Sequence, residues 1–171
     1  MYHGGACINV SIWTRGQTSS KGIYKRCTKM SIESKIREIA EEKFAEFSYV
    51  FEDWNGAAEK IDRVTLPAIV CVLPTGGAFN FSRGRVKDKE DCMIAFVDKV
   101  SRDANGEDNE EVYSRMKEKA IKFVMALNES RYFEPIDGSV RYTTILESAS
   151  AYFTGVFVEL TLKELEGGCL C

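Results

Sequence analysis

The stretch that decides the fold is residues 65–97, which read TLPAIVCVLPTGGAFNFSRGRVKDKEDCMIAFV. It opens with Thr65–Pro74, a short run rich in β-branched residues and bounded by prolines, which is typical of a strand buried on both faces. It closes with a second apolar run, Cys92–Val97, that predicts a strand returning antiparallel to its predecessor. Two such runs close together in the chain predict a sheet built around a long hairpin.

The middle of this stretch predicts a further strand and a polar tip. Thr75–Gly77 has the composition of a turn, and an alternating run follows it. Lys87–Asp91 has five consecutive charged residues, a pattern typical of a solvated hairpin tip. The sequence therefore predicts three successive strands, a meander. In the middle strand, one side holds Phe79, Phe81, Arg83 and Arg85, and the other holds Asn80, Ser82 and Gly84.

Two amphipathic helices flank the predicted meander. Before it, apolar residues recur at steps of three and four from Ser31 to Phe51, which predicts a helix that ends before the Asn55-Gly56 turn. After it, the same spacing from Glu110 to Leu127 predicts the second helix. Two alternating runs follow, Ser139–Glu147 and Ala151–Leu162, and predict two more strands. In the second run, one face holds Val156, Val158, Leu160 and Leu162.

These elements predict an α+β fold in the order α-β-β-β-α-β-β. We expect a mainly antiparallel sheet of about four to five strands, packed by two amphipathic helices. Residues 30–165 are expected to form one domain, followed by a Gly/Cys tail at residues 166–171. Residues 1–29 lack the regular spacing of apolar residues that a helix needs, and we expect them to be a flexible basic N-terminal extension or the product of upstream translation. Met30 is the preferred natural start, because Ser31 is a good helix N-cap.

Charge is distributed unevenly along the 171-residue chain. Residues 1–29 carry five basic residues and no acidic one, whereas the rest holds 18 basic and all 26 acidic residues, a formal charge of −8. The part of the chain after residue 29 therefore lacks the excess of basic side chains that proteins use to bind nucleic acid. The longest apolar runs are also too short to cross the ~30 Å of a bilayer's hydrocarbon core. We therefore expect neither specific DNA binding nor a membrane span.

The residue types needed for common catalytic sites are missing or poorly placed. The only histidine is His3, in the basic segment, so triads that use histidine have no credible base. Asp88, Glu90 and Asp91 have the residue types of metal ligands, but a charged hairpin tip is the commoner explanation of such a run. We expect no catalytic, cofactor or metal site, and free reduced thiols at the six cysteines. The role of Cys169 and Cys171 stays open.

The chain ends with Tyr152-Phe-Thr-Gly-Val-Phe-Val-Glu-Leu-Thr-Leu-Lys163 and a short Gly/Cys tail. Together with the order of elements before it, this layout resembles the tail terminator and tail completion proteins of tailed bacteriophages and prophages. The resemblance covers residues 31 to about 165. It implies a structural virion protein without catalysis, made in the bacterial cytoplasm and retained in the tail or neck. It also implies a ring, commonly of six subunits, that contacts the tail tube and head connector while DNA passes through its lumen.

The resemblance and the charge pattern together predict an assembly surface on the long hairpin. Its candidate residues are Phe79, Phe81, Arg83, Arg85, Lys87, Asp88, Glu90 and Asp91. Two other classes of protein are alternatives. One is a bacterial cytoplasmic adaptor that holds a protein or peptide on the same sheet surface. The other is an enzyme built on carboxylates such as Asp91 and Asp98, whose spacing is unsuitable for a catalytic pair.

Overall fold

The computed structural model describes residues 30–61, 63–82, 85–147 and 152–165, which form an α+β fold. Five strands and three helices follow one another in the order α-β-α-β-β-α-β-β. The predicted fold class and the mainly antiparallel sheet are confirmed, whereas the predicted order lacks one helix. The elements are α1 (Ile32–Lys43), β1 (Ser48–Glu52), α2 (Trp54–Ile61), β2 (Ala68–Ser82), β3 (Arg85–Lys99), α3 (Gly106–Glu129), β4 (Arg141–Glu147) and β5 (Phe153–Lys163).

Strand β3 lies at the centre of the sheet, whose strand order is β1-β2-β3-β5-β4. It pairs antiparallel with β2 on one side and with β5 on the other. Strand β4 pairs antiparallel with β5 at one edge, and β1 runs parallel to β2 at the other. The sheet is therefore two antiparallel hairpins joined side by side, with one parallel strand added.

The first helix is shorter than predicted. Ser31 caps its start by accepting a hydrogen bond from the Ser34 amide, as expected, but α1 ends at Lys43 and residues 48–52 form β1. Phe47 and Phe51 are four residues apart, which fits a helix, yet Phe47, Tyr49 and Phe51 are also spaced by two. The spacing thus suits both structures. Pairing with β2 favours the strand, because it gives these backbone groups partners.

Helix α2 replaces the turn predicted at Trp54-Asn55-Gly56. The Asp53 side chain accepts a hydrogen bond from the Gly56 amide and so caps the first turn. Ala57 and Ile61 are buried against the sheet. The Trp54 ring meets the Phe157 ring edge-on at 4.3 Å between centroids. Packing on the sheet therefore overrides the local preference of Asn-Gly for a turn.

The predicted meander is wrong, because one long hairpin takes its place. Strand β2 continues through Thr75–Gly77, where its register with β3 shifts between Val72 and Gly76. An irregularity of this kind lets β2 continue where the sequence indicates a turn. Glycine at position 77 allows the two strands to approach closely there. A Cβ at Gly77 would lie 2.6 Å from the Lys89 carbonyl oxygen. The predicted tip, Lys87–Asp91, lies within β3 instead, and the pairing of β2 with β3 extends to Ser82 and Arg85.

Helix α3 and the last two strands confirm the predictions made for them. Asn105 and Asp108 form a capping box, so α3 begins at Gly106, four residues before the predicted start. Its buried face consists of Met116, Ala120, Phe123 and Leu127. On β5, the predicted inner face is buried throughout at Val156, Val158, Leu160 and Leu162.

The sheet separates two apolar clusters. Helices α1 and α3 cover one face, where the rings of Phe96 and Phe123 lie 5.4 Å apart. Helix α2 packs on the other face, where Ala95 and Val97 of β3 are fully buried. Central strand residues are therefore apolar on both faces, which explains the continuous apolar runs in the sequence.

Gly155 is required by the close approach of β5 to β3. A Cβ at this position would lie 1.9 Å from the Phe96 carbonyl oxygen. We predict that Gly155→Ala lowers the free energy of unfolding by about 3 kcal/mol, because backbone atoms must move apart. Gly106→Ala is the control, since a Cβ there meets nothing within 4 Å. Urea unfolding measures both, and equal stability of the two variants would contradict the β3–β5 register.

Neighbouring residues of β5 provide a second test of register. Leu160 is 4% exposed, whereas Glu159 is exposed on the opposite face. We predict that Leu160→Ala costs about 3 kcal/mol of stability, through lost burial and a cavity. Glu159→Ala should change stability by no more than about 0.5 kcal/mol. Thermal melts compare the two, and similar losses would show that the faces of β5 are assigned wrongly.

Candidate functional site

The β2–β3 hairpin extends past the rest of the sheet. We call residues 76–82 and 85–91 the arm. Strand β1 pairs with β2 only as far as Val72, and β5 pairs with β3 only from Lys89 onward. Among the described residues, most of the arm is therefore a ribbon whose two strands pair only with each other. An isolated two-stranded ribbon is marginally stable at best in water, so an arm of this kind gains from a binding partner.

Two aromatic side chains on the arm face solvent. Phe79 is 68% exposed and Phe81 is 77% exposed. They are two residues apart on β2, so they lie on the same face of the ribbon. Exposed aromatic side chains grouped together mark an interaction surface, because burying them in an interface removes a large apolar area from water.

The ladder separates the predicted assembly residues into two sets. Phe79 pairs with Asp88, and Phe81 with Val86. Arg85 and Lys87 pair with Ser82 and Asn80, which alternate with the phenylalanines. The prediction that Arg85 shares a face with Phe79 and Phe81 is therefore wrong. The cause is the register, since β3 begins at Arg85 and places it opposite Ser82 rather than further along the strand of Phe79 and Phe81. Arg83 lies outside the described residues.

The two remaining predicted residues lie at the base of the arm. Asp91 is exposed and accepts a hydrogen bond from the Thr161 hydroxyl at 2.8 Å. Glu90 is half-buried and lines a groove beside α1. The structure thus brings the phenylalanines together at the outer part of the arm and leaves Glu90 and Asp91 next to the body.

The groove has a volume of about 420 Å³ and lies between the start of α1 and strands β1–β3. Its lining is mainly apolar, with carboxylates among it. We call it the α1 groove. The residues that line it are Met30, Ser31, Ile32, Glu33, Ile36, Phe51, Cys71, Val72, Glu90, Cys92 and Glu164.

Two free thiols in the α1 groove are kept protonated. Cys71 and Cys92 are each 3% exposed. Burial raises the pKa of the Cys71 thiol to about 11 and that of Cys92 to about 12. Burial also raises the pKa of the neighbouring Tyr49 hydroxyl. These thiols are therefore unsuited to act as nucleophiles at neutral pH. Their predicted burial as free thiols is confirmed, while the other four cysteines lie outside the described residues.

The carboxylates considered for catalysis do not form a pair. Asp91 and Asp98 are seven residues apart on one strand, which separates them by about 23 Å. Asp98 forms an ion pair with Arg115 at 2.7 Å. Within residues 30–61, 63–82, 85–147 and 152–165, no group of three or more His, Cys, Asp or Glu residues is arranged to hold a metal ion.

Another polar cluster joins α3 to β4. The Lys117 ammonium donates a hydrogen bond to the Tyr142 hydroxyl at 2.8 Å and lies 4.5 Å from that ring's centroid. This hydrogen bond lowers the pKa of Tyr142. The cluster is exposed and connects the edge strand to the helix.

The sequence indicates part of this site but not all of it. Phe79 and Phe81 are recognisable as aromatics that alternate with small and polar residues in a glycine-containing strand. No local sequence pattern predicts the α1 groove, because its lining comes from one helix and three strands that only the fold brings together. Its only trace is the pair of cysteines, Cys71 and Cys92, within apolar runs.

No protein-family model and no characterised protein sequence matches this chain. In the part of the chain that the structure describes, every helix is too short or too polar to cross a bilayer.

The raised pKa values predict slow alkylation of the two buried thiols. Only the thiolate reacts, so a pKa of about 11 should lower the labelling rate of Cys71 at pH 8 about a hundredfold relative to the unfolded chain. The rate should then rise about tenfold per pH unit up to pH 11. Alkylation followed by peptide mass spectrometry measures it. Equal rates in the folded and urea-unfolded chain at pH 8 would contradict this burial.

The same shifts predict how stability depends on pH. The thiol pKa values in the folded chain lie above the ordinary value, so folding keeps these protons bound. Their contribution to stability is complete below about pH 9 and is lost as pH rises toward 11 to 12.

Proposed function

We propose that this chain is a structural assembly protein of a tailed phage or prophage, of the tail terminator or tail completion type. It acts by subunit association in a ring at the head–tail junction or the end of the tail tube, without catalysis. The observation that carries the proposal is the arm, which presents Phe79 and Phe81 to solvent beyond an otherwise packed α+β body.

The arm suits assembly better than small-molecule binding. A ligand site is normally concave, with a few polar groups that converge on the ligand. The arm is a ribbon that extends past the neighbouring strands, and its phenylalanines are exposed and absent from the lining of the α1 groove. A projecting apolar surface matches a recess on a neighbouring protein, where the two rings become the buried centre of an interface.

A ring requires two different surfaces on each subunit, because it closes by head-to-tail contacts. The arm supplies one such surface at the β2–β3 end. Exposed apolar side chains on α3, Ile121 and Met125 at 55% and 57% exposure, lie on a different element. In the proposed assembly the arm contacts a neighbouring subunit or the tail tube, and the virion tail or neck is the site of action.

The charge of the body supports a role in which DNA passes without being held. Residues from Met30 onward have a formal charge of −8. Acidic surfaces repel phosphates, so a lumen formed by such bodies would not retain DNA. An adaptor module that holds a peptide is the second candidate, and the α1 groove is the observation that favours it.

The arm phenylalanines provide the direct test of the proposal. We predict that Phe79→Ser with Phe81→Ser leaves the fold and melting temperature unchanged but blocks attachment to tail tubes, because both side chains are exposed in the free chain. Leu165→Ser is the control and should attach normally, since it removes exposed apolar area outside both the arm and α3. Co-sedimentation with purified tail tubes and electron microscopy measure attachment. Normal attachment of the arm variant would refute the assembly role of the arm.

Charge reversal of Arg83 and Arg85, the two arginines of the predicted assembly surface, gives a separate prediction. We expect Arg83→Glu with Arg85→Glu to weaken attachment while the subunit stays folded, because exposed ion pairs set register and partner choice. The difference from the unmodified chain should shrink as salt increases from about 50 mM to 500 mM. Attachment that is equal to that of the unmodified chain at low salt would exclude the arginines from the interface.

A further inference from the structure

Helix α3 has an exposed apolar surface on the side opposite to its buried face. Ile121 and Met125 are more than half exposed and lie one turn apart, so their side chains are neighbours. Met125 also lines a recess of about 330 Å³ between α3 and the end of α1, together with Phe44 and Ala126. We call this recess, with the adjoining Ile121, the α3 recess. Its volume is at the lower end of the range of about 300–1,000 Å³ that binding pockets occupy.

Charged side chains surround the apolar part of the α3 recess. Lys119 pairs with Glu46 at 2.7 Å, and Lys122 pairs with Glu118 at 2.6 Å, so these cations are already engaged. Lys43 also lines the recess and has no ion-pair partner among the residues that the structure describes. An apolar centre inside a charged, solvent-accessible rim is the usual composition of a protein–protein interface.

The phenylalanines of the arm match the apolar centre of the α3 recess. Phe79 and Phe81 are 68% and 77% exposed, so burying both would remove roughly 200–350 Å² of apolar surface from water. Met125 has a flexible side chain whose sulfur makes favourable contacts with aromatic rings, so it can adapt to either of them. The rings alone supply less than the ~800 Å² per partner of a standard interface. A single contact is therefore expected to be weak, and closing a ring strengthens it by giving every copy two contacts.

The charges beside the two surfaces are compatible. In the β2–β3 ladder, Asp88 is opposite Phe79 and Val86 is opposite Phe81. The register thus places an acidic residue, and no cation, opposite the phenylalanines. Lys43, the unpaired cation among the described residues that line the recess, favours an acidic residue over a basic one in the surface that binds there.

The arm is far from the α3 recess of its own chain. Phe44 in the recess and Phe96 of β3 both pack on Phe123, with ring centroids 5.2 and 5.4 Å away. Phe96 pairs with Ile69 of β2, so the recess lies over this level of the sheet. Phe81 is twelve positions further along β2, which corresponds to about 40 Å along the strand. The phenylalanines of the arm are therefore placed to reach the recess of a second copy rather than their own.

We propose that the α3 recess of one copy binds Phe79 and Phe81 of the next copy's arm, and that this head-to-tail contact builds the ring. Each copy then uses its arm on one side and its recess on the other, as a closed ring of identical subunits requires. The inference rests on the proposed assembly role of the arm and names the neighbouring subunit as its partner.

Two variants with opposite defects test this contact. Phe79→Ser with Phe81→Ser removes the apolar surface of the arm, and Ile121→Ser with Met125→Ser removes that of the recess. Sedimentation velocity follows the full chain from about 10 µM to about 1 mM, the range in which a small interface associates. We expect the unmodified chain to associate and each variant alone to stay monomeric. An equimolar mixture of the two variants should form a 1:1 dimer and nothing larger, because it offers one intact arm to one intact recess.

Other modes of association give different results. An arm-to-arm contact would let the recess variant associate like the unmodified chain, and a recess-to-recess contact would let the arm variant do so. Either result would overturn the proposal, as would a mixture or an unmodified chain that stays monomeric over the whole range. Leu165→Ser is the control and should associate like the unmodified chain, since Leu165 is exposed outside both surfaces. An equal loss in this control would show that association is not specific to the two surfaces. Melting curves establish that every variant is folded.

Attachment to tail tubes, measured separately, distinguishes this inference from the proposed function. If the mixture forms the dimer but the unmodified chain does not attach to tail tubes, the head-to-tail contact stands and the role in the tail fails. If the unmodified chain attaches but the mixture stays monomeric, the role in the tail stands and the α3 recess is not the partner of the arm.

Discussion

The pairing of β3 with a strand on each side is the constraint on which the rest of the structure depends. Strand β3 pairs with both β2 and β5 over its central residues. Both of its faces are covered, since Phe96 packs under α3 while Ala95 and Val97 are buried on the opposite face. A strand enclosed on all sides cannot shift register without exposing its core residues, so it fixes the position of its neighbours. The need for glycine at position 155 follows from this close pairing.

The same two strands continue outward as the arm. The ends of both strands next to the body are buried and anchor the hairpin, while the outer end of β2 presents two phenylalanines to solvent. Exposed aromatics lower the solubility of a free subunit, so their presence favours a bound state in which a partner covers them. The anchored half holds the arm in a defined direction, which reduces the ordering cost when a partner binds. Fold and proposed function are therefore linked through one hairpin.

An element could be predicted from the sequence where the spacing of its apolar residues fits only a helix or only a strand. It could not be predicted where the spacing fits both. On α3 and β5, the spacing of buried residues fits only one period, and both were predicted. At residues 47–51 the aromatics fit a helix and a strand equally, and only pairing with β2 decides between them. At Asn55-Gly56 and at Gly76-Gly77 the local preference for a turn is overridden, in one case by packing on the sheet and in the other by pairing with β3.

The candidate site also has a part that the sequence predicts and a part that it does not. Phe79 and Phe81 are visible in the sequence as an alternating pair, whereas their separation from Arg85 depends on where β3 begins. The α1 groove depends on contacts between a helix and three strands, so no local pattern predicts it.

Hydrogen–deuterium exchange of the free chain tests most directly the central claim that one hairpin is divided between an anchored half and a projecting half. Amides of residues 68–72 and 93–97 should exchange only through global unfolding, because they lie in the buried, doubly paired part of the sheet. Amides of residues 77–82 should exchange orders of magnitude faster, and should become protected when tail tubes are added. Equal protection of both halves in the free chain would contradict the account, because it would show that the arm is already held by the body.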